Sequence, residues 1–570
     1  MVFSTYTMHE VGDSAEVESK ISRLSRSWAM RNRYLLSLIL LLTACSGERV
    51  EEPANISTEV FDILLLGGSV YSGENVSSVV ADVGIRGDRI SAIGDLGANE
   101  ADLVLDVSGL AVAPGFIDIH THAVRTGLDD GIFRWPDAEN VIRQGVTTVI
   151  SGPDGDSPLP ISNTLAALEA NPVTVNFGTF VGHGSIRANV MGEDDRSPSG
   201  EELQRMRDEV AEAMQQGAFG LSSGLIYPPG RFASTEEVIE LAKIAAQYRG
   251  IYISHMRQEG LEVLESVAET IRIGEEGGLP TQITHHKIVG APMWGKSLET
   301  LAMVDAARAR GIDVSMDQYP YTASSSRLTI LFPGWSLDGG RSALLGRLRD
   351  AGMREQIKEE IVYNIEVDRG GNDPANVVLS DCQHDSAING FNLSQVLDQQ
   401  GRDISNENAA ELLMELVEGS DCRAIFHAMS EDDVRRIMQH PVTMTASDGG
   451  IEAPTERMPH PRYYGAFARL IGHYVREENV LPLHTAVHKM TRLPADRMGL
   501  TGYGRIEVDA IADVAVFNPR TVIDKATFEN PHQYAEGVHH VFVAGRAVLL
   551  DGEMTGARPG RVLRSTEYRQ

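Results

Sequence analysis

The stretch AVAPGFIDIHTH, Ala111 to His122, runs an apolar segment into two histidines spaced two residues apart. On a strand, residues i and i+2 share a face, so His120 and His122 aim two imidazoles at one point. That is metal-ligand geometry, although His-x-His alone is too frequent to establish a site. Further residues of the same chemistry follow: Asp154 in SGPDG, His183 in VGHGSIR, His255 in YISHM, His285 and His286 in ITHHK, and Asp448 in SDGG.

A hydrolytic metal site needs neutral imidazoles, carboxylates, an open coordination position and a base for the proton of bound water. His120, His122, His255 and His285 supply imidazole nitrogen, and Asp154 a hard carboxylate that is terminal or bridging. Asp448 is both a candidate ligand and the candidate base, able to take a proton from water and return it to a leaving amine. His183 either polarises a substrate carbonyl or orders a loop. His286 points away from its neighbour on a strand and reads as structural.

Converging these groups requires elements that share one open end. Eight short apolar runs qualify as strands: AVAPGFIDIHTH, VTTVISGPD, VTVNFGTFVGHG, AFGLSSGLIYP, GIYISHM, PTQITHH, IDVSMDQYPY and VTMTASDG. Helical patterns lie between several of them, for example STEEVIELAKIAAQY, with Ser234 as N-cap and Glu237 at the capping-box position. Long βα alternation predicts an α/β fold, a metal-dependent (β/α)8 TIM barrel over residues 113–495, whose active site opens at the carboxyl ends of the strands. The polar residues above all fall at such ends.

Both flanks are rich in short strands and Gly/Asp turns, which predicts a small β-sandwich domain built from residues 59–112 and 496–570. Between the seventh and eighth strands, residues 333–439 are too long for an ordinary connection. They form either a lid over the barrel mouth or an insertion remote from the chemistry.

The chain has 570 residues, room for one large and one small domain. Acidic residues exceed basic ones by 80 − 50 = 30, which argues against nucleic acid as a partner. Residues 1–44 read as an export signal, with Arg31 and Arg33 before the apolar run Leu35 to Leu42 and a start codon best placed at Met30. LTAC resembles a lipoprotein cleavage site, so Cys45 is the expected lipidated residue and 45–58 a tether. Contact with membrane is expected only through that anchor. The location implied is the bacterial periplasm, at the outer membrane because Ser46 follows the cysteine. Cys382 and Cys422 remain; a disulfide is open to them in an oxidising compartment, but two separate thiols are the expectation.

Longer motifs carry a resemblance. GFIDIHTH, GVTTVISG, VGHGSIR, GAFGLSSGLIYPPGRFASTEEVIELA, YISHMRQEG, ITHHK, DQYPYTASSS, SDGG and PHPRYYG together resemble the amidohydrolase superfamily, and within it the D-aminoacylase or N-acyl-D-amino-acid deacylase family. The resemblance covers nearly everything from Phe61 onward. It implies metal ligation by His120, His122, His255 and His285, Asp448 as general base, and a substrate carboxylate held by Lys287, Tyr319, Ser325 and Arg462. Arg forks a carboxylate and Lys adds a point charge, so these residue types suit that role. The bland alternatives are surface charge pairing for Lys287 and Arg462, and an ordinary polar turn for Ser325.

Two departures stand out. Members of the family usually carry a metal-binding cysteine in a GNCG-like turn, where this chain has GPDG and Asp154. Carboxylate oxygen is harder than thiolate, so one or two zinc ions are expected, with manganese or iron as alternatives. The carboxylated lysine frequent in the superfamily is absent from GLSSGLIYP. The resemblance thus implies metal-dependent hydrolysis of N-acyl-D-amino acids. A dipeptidase releasing a C-terminal D-residue, a cyclic amidase, and a noncatalytic metal- or ligand-binding lipoprotein are the rivals. The sequence leaves the oligomeric state open.

Overall fold

The computed structural model describes residues 60–124, 127, 129–420 and 422–568. The export signal, Cys45 and the tether lie outside these residues. From Phe116 onward strands and helices alternate in a mixed α/β fold. Strands Phe116–Asp118, Val146–Ser151 and Asn176–Thr179 pair in parallel. Strands Gly220–Gly224, Ile251–His255, Thr281–Ile283, Val314–Gln318 and Thr443–Thr445 form a second parallel run. The runs join where Phe219 N donates to Thr179 O at 2.9 Å and Val181 lies beside Leu221. At the other end Gly449–Gly450 pairs in parallel with Thr121–His122, and Asp448 N donates to His120 O at 3.0 Å. The succession therefore returns on itself, and parallel pairing puts all the carboxyl ends on one side.

These strands are buried along their whole length, as parallel strands covered by helices must be. The covering helices show why the sequence folds this way. Gly200–Gln216 starts at Ser199 with a full capping box to Glu202 and stops at Gly217, whose φ of 114° suits glycine. Met206, Val210, Ala213 and Met214 recur at helical spacing and are its buried stripe. Each large apolar side chain there contributes about 1.5–3 kcal/mol, so a charge at Val210 would break the helix–sheet contact. Helix Thr235–Gln247 is capped by Ser234, which accepts from Glu237 N at 3.2 Å. The Glu237 carboxylate, placed by sequence for the reciprocal half of the box, instead turns inward to His183 and Arg187.

Among the described residues, strands lying between Val60 and Pro114 and between Val514 and Met554 build one sheet of nine strands. Val514–Phe517, from the C-terminal end, pairs antiparallel with Ala111–Pro114. That strand passes through Gly115 into Phe116–Asp118, so the nine-stranded sheet anchors the segment carrying His120 and His122. Gly115 admits no side chain here, because a Cβ would meet Thr147 Oγ1 at 2.2 Å.

The insert differs from the expected 333–439 at both edges. Its antiparallel sheet already includes Ser324–Arg327, which pairs with Arg423–Phe426 and through it with Val377–Asp381. Helix Glu431–Gln439 instead packs on Ser297–Ala309 and the last parallel strand, as an ordinary crossover helix. Ile357, Ile361, Ile365, Leu413 and Phe426 belong to the insert's own apolar core. Cys382 and Cys422 form a disulfide with Cα atoms 4.4 Å apart, which corrects the expectation of two separate thiols. The pairing of Asp381 with Arg423 brings the two positions together, a contact across 40 residues that local sequence does not reveal.

Candidate metal centre

The strand ends deliver His120, His122, Asp154, His255, His285 and Asp448 to one place. His120 Nε2 is 3.4 Å and His285 Nε2 3.3 Å from Asp154 Oδ1. His122 Nε2 is 3.5 Å and His255 Nδ1 3.7 Å from Asp154 Oδ2. Asp448 Oδ1 lies 3.2 Å from His122 Nε2 and 3.7 Å from His120 Nε2. Two donor groups result, His120/His122/Asp154/Asp448 and Asp154/His255/His285, each with its donor atoms within 4.8 Å of one another. Asp154 belongs to both.

The backbone is bent to achieve this. Asp154, His285 and Asp448 have φ of 56°, 35° and 50°, a left-handed region costly for non-glycine residues and typical of functional sites. Gly155 permits the turn, since a Cβ there would meet Gly224 N at 2.6 Å.

These donors fit a divalent cation. Both ring nitrogens of His120 and of His255, together with His285 Nε2 and Asp154 Oδ1, are buried without a hydrogen-bond partner. Orphaned buried polar atoms each cost about 1–3 kcal/mol, so such a cluster calls for a ligand. Imidazole nitrogen with carboxylate oxygen suits first-row ions, zinc and manganese among them. Burial holds His255 down at about 4, ready as a neutral donor. Burial and Lys287 push His285 down too, but Asp154 and Glu259 outweigh them and raise it to about 10. Burial alone would raise Asp448, yet Arg462 and His122 hold it far below the usual carboxylate range, so it is ionised.

Beside the donors sits a cationic wall. Arg462 is buried, with Nη1 2.8 Å from Asp448 Oδ2 and its guanidinium 4.6 Å above the Tyr319 ring. Lys287 Nζ lies 5.5 Å from the same ring and contacts Glu259 Oε1 at 2.5 Å and His285 Nδ1 at 2.7 Å. With 2% exposure each, Lys287 and Arg462 are not surface charges. Ser325 lies on the insert strand opposite Ile425, and its neighbour Ser324 accepts from Arg369 at 3.3 Å.

His183 opens helix His183–Met191, with Nε2 3.0 Å from Glu237 Oε1, while Arg187 binds the other carboxylate oxygen at 2.6 Å. This buried triad favours the loop-ordering alternative over carbonyl polarisation. His286 is tied to Thr300 Oγ1 at 2.8 Å, consistent with a structural residue. Arg257, from the same YISHMRQEG stretch as His255, is occupied by Glu269 and by the carbonyls of Arg231 and Ala233.

Sequence reasoning passed over four site residues. Glu259 touches Lys287, Arg369 and two histidines. Arg369 arrives from the insert. Asp317 accepts from His285 N at 2.8 Å and lies 3.8 Å from His120 Nδ1. Tyr227 sets its ring 4.7 Å from that of His255. Glu259 stands four residues after His255 in YISHMRQEG, and that spacing is the one signal the sequence offers for it.

Residues 103–549 match the Amidohydrolase family. A D-aminoacylase from Alcaligenes xylosoxydans xylosoxydans is 39% identical over 532 residues, 89% of this chain and 99% of the relative. A solved D-aminoacylase, studied for its binuclear metal centre, is 36% identical over 88% of this chain and 100% of its own, with a TM-score of 0.74. The N-acyl-D-glutamate deacylase of Bordetella bronchiseptica, solved with zinc and a phosphonate mimic of the tetrahedral intermediate, is 34% identical over 89% of this chain and 100% of its own, with a TM-score of 0.75.

Proposed function

Because the chain belongs to the amidohydrolase family, we propose that it hydrolyses the amide bond of N-acyl-D-amino acids, giving a carboxylate and a free D-amino acid. The observation that carries the reading is one carboxylate, Asp154, shared between two donor groups, with the ionised Asp448 on their rim beside a buried cationic wall. The eight parallel strands are read as a (β/α)8 barrel with its active site at their carboxyl ends.

A divalent ion held by His120, His122, Asp154, His255 and His285 would polarise the amide carbonyl and lower the pKa of water. Asp448 takes the proton of the attacking water as the water oxygen bonds to the carbonyl carbon. It then gives that proton to the departing amine nitrogen as the C–N bond breaks. Arg462 and His122 keep Asp448 ionised beforehand. Lys287, Tyr319, Ser325 and Arg462 hold the substrate carboxylate, which fixes the amide relative to Asp448. Oxygen in place of a family thiolate at position 154 argues for weaker discrimination of zinc over manganese or iron. The signal and Cys45 support export and a lipid anchor in the periplasm.

The test is hydrolysis of N-acetyl-D- and N-acetyl-L-amino acids and of dipeptides ending in a D-residue, by chelator-stripped protein with and without added zinc or manganese. Metal-dependent cleavage of the D-acylamino acids is expected. Preference for the dipeptides would favour the peptidase alternative. No cleavage with metal bound would leave the cyclic-amide and noncatalytic readings.

A further inference from the structure

Glu259 and Arg369 join the metal centre to the insert. Glu259 is fully buried, and its two oxygens divide their partners. Oε1 lies 2.5 Å from Lys287 Nζ and 3.2 Å from His285 Nδ1. Oε2 lies 2.8 Å from Arg369 Nη2 and 3.5 Å from His255 Nε2. The opposite nitrogens of the same rings, His285 Nε2 and His255 Nδ1, face Asp154 at 3.3 and 3.7 Å. Each imidazole thus stands between an inner carboxylate and an outer one.

We propose that Glu259 is a positioning residue that orients His255 and His285 with Nδ1 and Nε2 turned to the metal, and that Arg369 holds Glu259 there, making the insert a structural part of the metal centre. This rests on the metal-hydrolase reading. The second nitrogen of a ligating imidazole is held by an outer partner that sets tautomer and ring angle. Glu259 is the carboxylate nearest both, 3.2 Å from His285 Nδ1, which Lys287 Nζ also contacts at 2.7 Å, and 3.5 Å from His255 Nε2, close enough to orient that ring electrostatically. Arg369 has little else to bind. It is 2% exposed, and its other terminal nitrogen donates to Ser324 Oγ at 3.3 Å. It reaches Glu259 from the turn between helix Ala351–Val367 and strand Val377–Asp381. The pairing has a second consequence. With Lys287 alone, Glu259 would neutralise the lysine outright. Two cations on one carboxylate leave one positive charge for a substrate carboxylate.

The experiment uses full-length protein carrying Arg369→Met, Arg369→Lys or Glu259→Gln. Zinc affinity is measured by chelator competition, and the visible spectrum of the cobalt-loaded protein is recorded. Arg369→Met is expected to weaken zinc binding about 10–100-fold and to change the cobalt spectrum, with Arg369→Lys restoring most of both. KM should rise more than kcat falls. Wild-type affinity and spectrum in folded Arg369→Met would overturn the proposal. Should that variant not fold, Glu259→Gln, of the same shape, carries the same expectation and the same refutation. A wild-type protein that binds no zinc would instead overturn the functional reading itself, which separates the two failures.

Discussion

Replacing Arg462 by Met removes the planar cation of the carboxylate wall. Arg462 is buried over the face of Tyr319, so its interaction with a substrate carboxylate occurs largely out of water. A hydrogen bond to a charged group contributes about 1.5–3 kcal/mol, roughly a 10- to 150-fold change in an equilibrium. The same side chain also ion-pairs with Asp448 at 2.8 Å, so a simple loss of activity would not separate the two roles. A cycle with two substrates does. An N-acetyl-D-amino acid and its carboxamide are compared on wild type and Arg462→Met by kcat/KM. Any effect through Asp448 is common to both substrates and cancels. Wild type should prefer the acid over the amide by a factor that shrinks about 10- to 150-fold in the variant, with the acid's KM bearing most of the loss. An unchanged acid-to-amide ratio would refute the assignment of Arg462 to the substrate carboxylate.

Asp154→Cys should leave zinc bound while raising the preference for zinc over manganese, read by competition between the two ions, because thiolate is the softer donor. Lys489 is buried, donates to His440 O at 2.5 Å and Thr443 O at 2.9 Å, and is lowered by burial from 10.5 to about 7. Its folded pKa lies below its unfolded one, so the unfolded chain binds more protons between these values and stability rises with pH across them. The span of 10.5 − 7 = 3.5 units corresponds to roughly 5 kcal/mol. Lys489→Met should remove that rise, seen as melting temperatures of the two proteins that differ most near pH 7 and converge towards pH 10; a constant difference would refute it. Cys422→Ser opens a covalent loop of 40 residues, a constraint whose loop-closure entropy is worth about 4 kcal/mol. Limited proteolysis should then cut first between Ser324 and Ala428, and cleavage elsewhere would count against a locally stapled insert.

What could be read in the sequence followed strand periodicity. His120, His122, His255 and His285 sit at or just past strand ends where period-2 alternation sets direction, and Asp154 and Asp448 lie in the turns immediately beyond. A register argument therefore reaches the histidines, whereas Asp154 and Asp448 are reached only by their place just past a strand's carboxyl end. Glu259 escaped because it belongs to a loop, where no periodicity says which way a side chain points. Arg369 and the disulfide depend on how the insert folds on itself, and contacts over such separations leave no local pattern. The same cause moved the insert's edge: the polar run around Ser325 has no strand pattern of its own, and only its partner Arg423–Phe426 makes Ser324–Arg327 a strand. Glu237 illustrates a local rule overridden. Its capping position was legible, but a buried His183 and Arg187 offered its carboxylate stronger partners than a helix end.

The most direct measurement is turnover of an N-acetyl-D-amino acid by Asp448→Asn, with metal content determined on the same sample. Asn keeps the shape and a neutral oxygen donor but cannot take a proton from water. Metal retained with turnover reduced by at least about 100-fold is the expected result, since general-base catalysis contributes about 10²–10⁴-fold. Wild-type turnover with metal bound would contradict the assignment of Asp448 as the proton carrier, and with it the proposed mechanism.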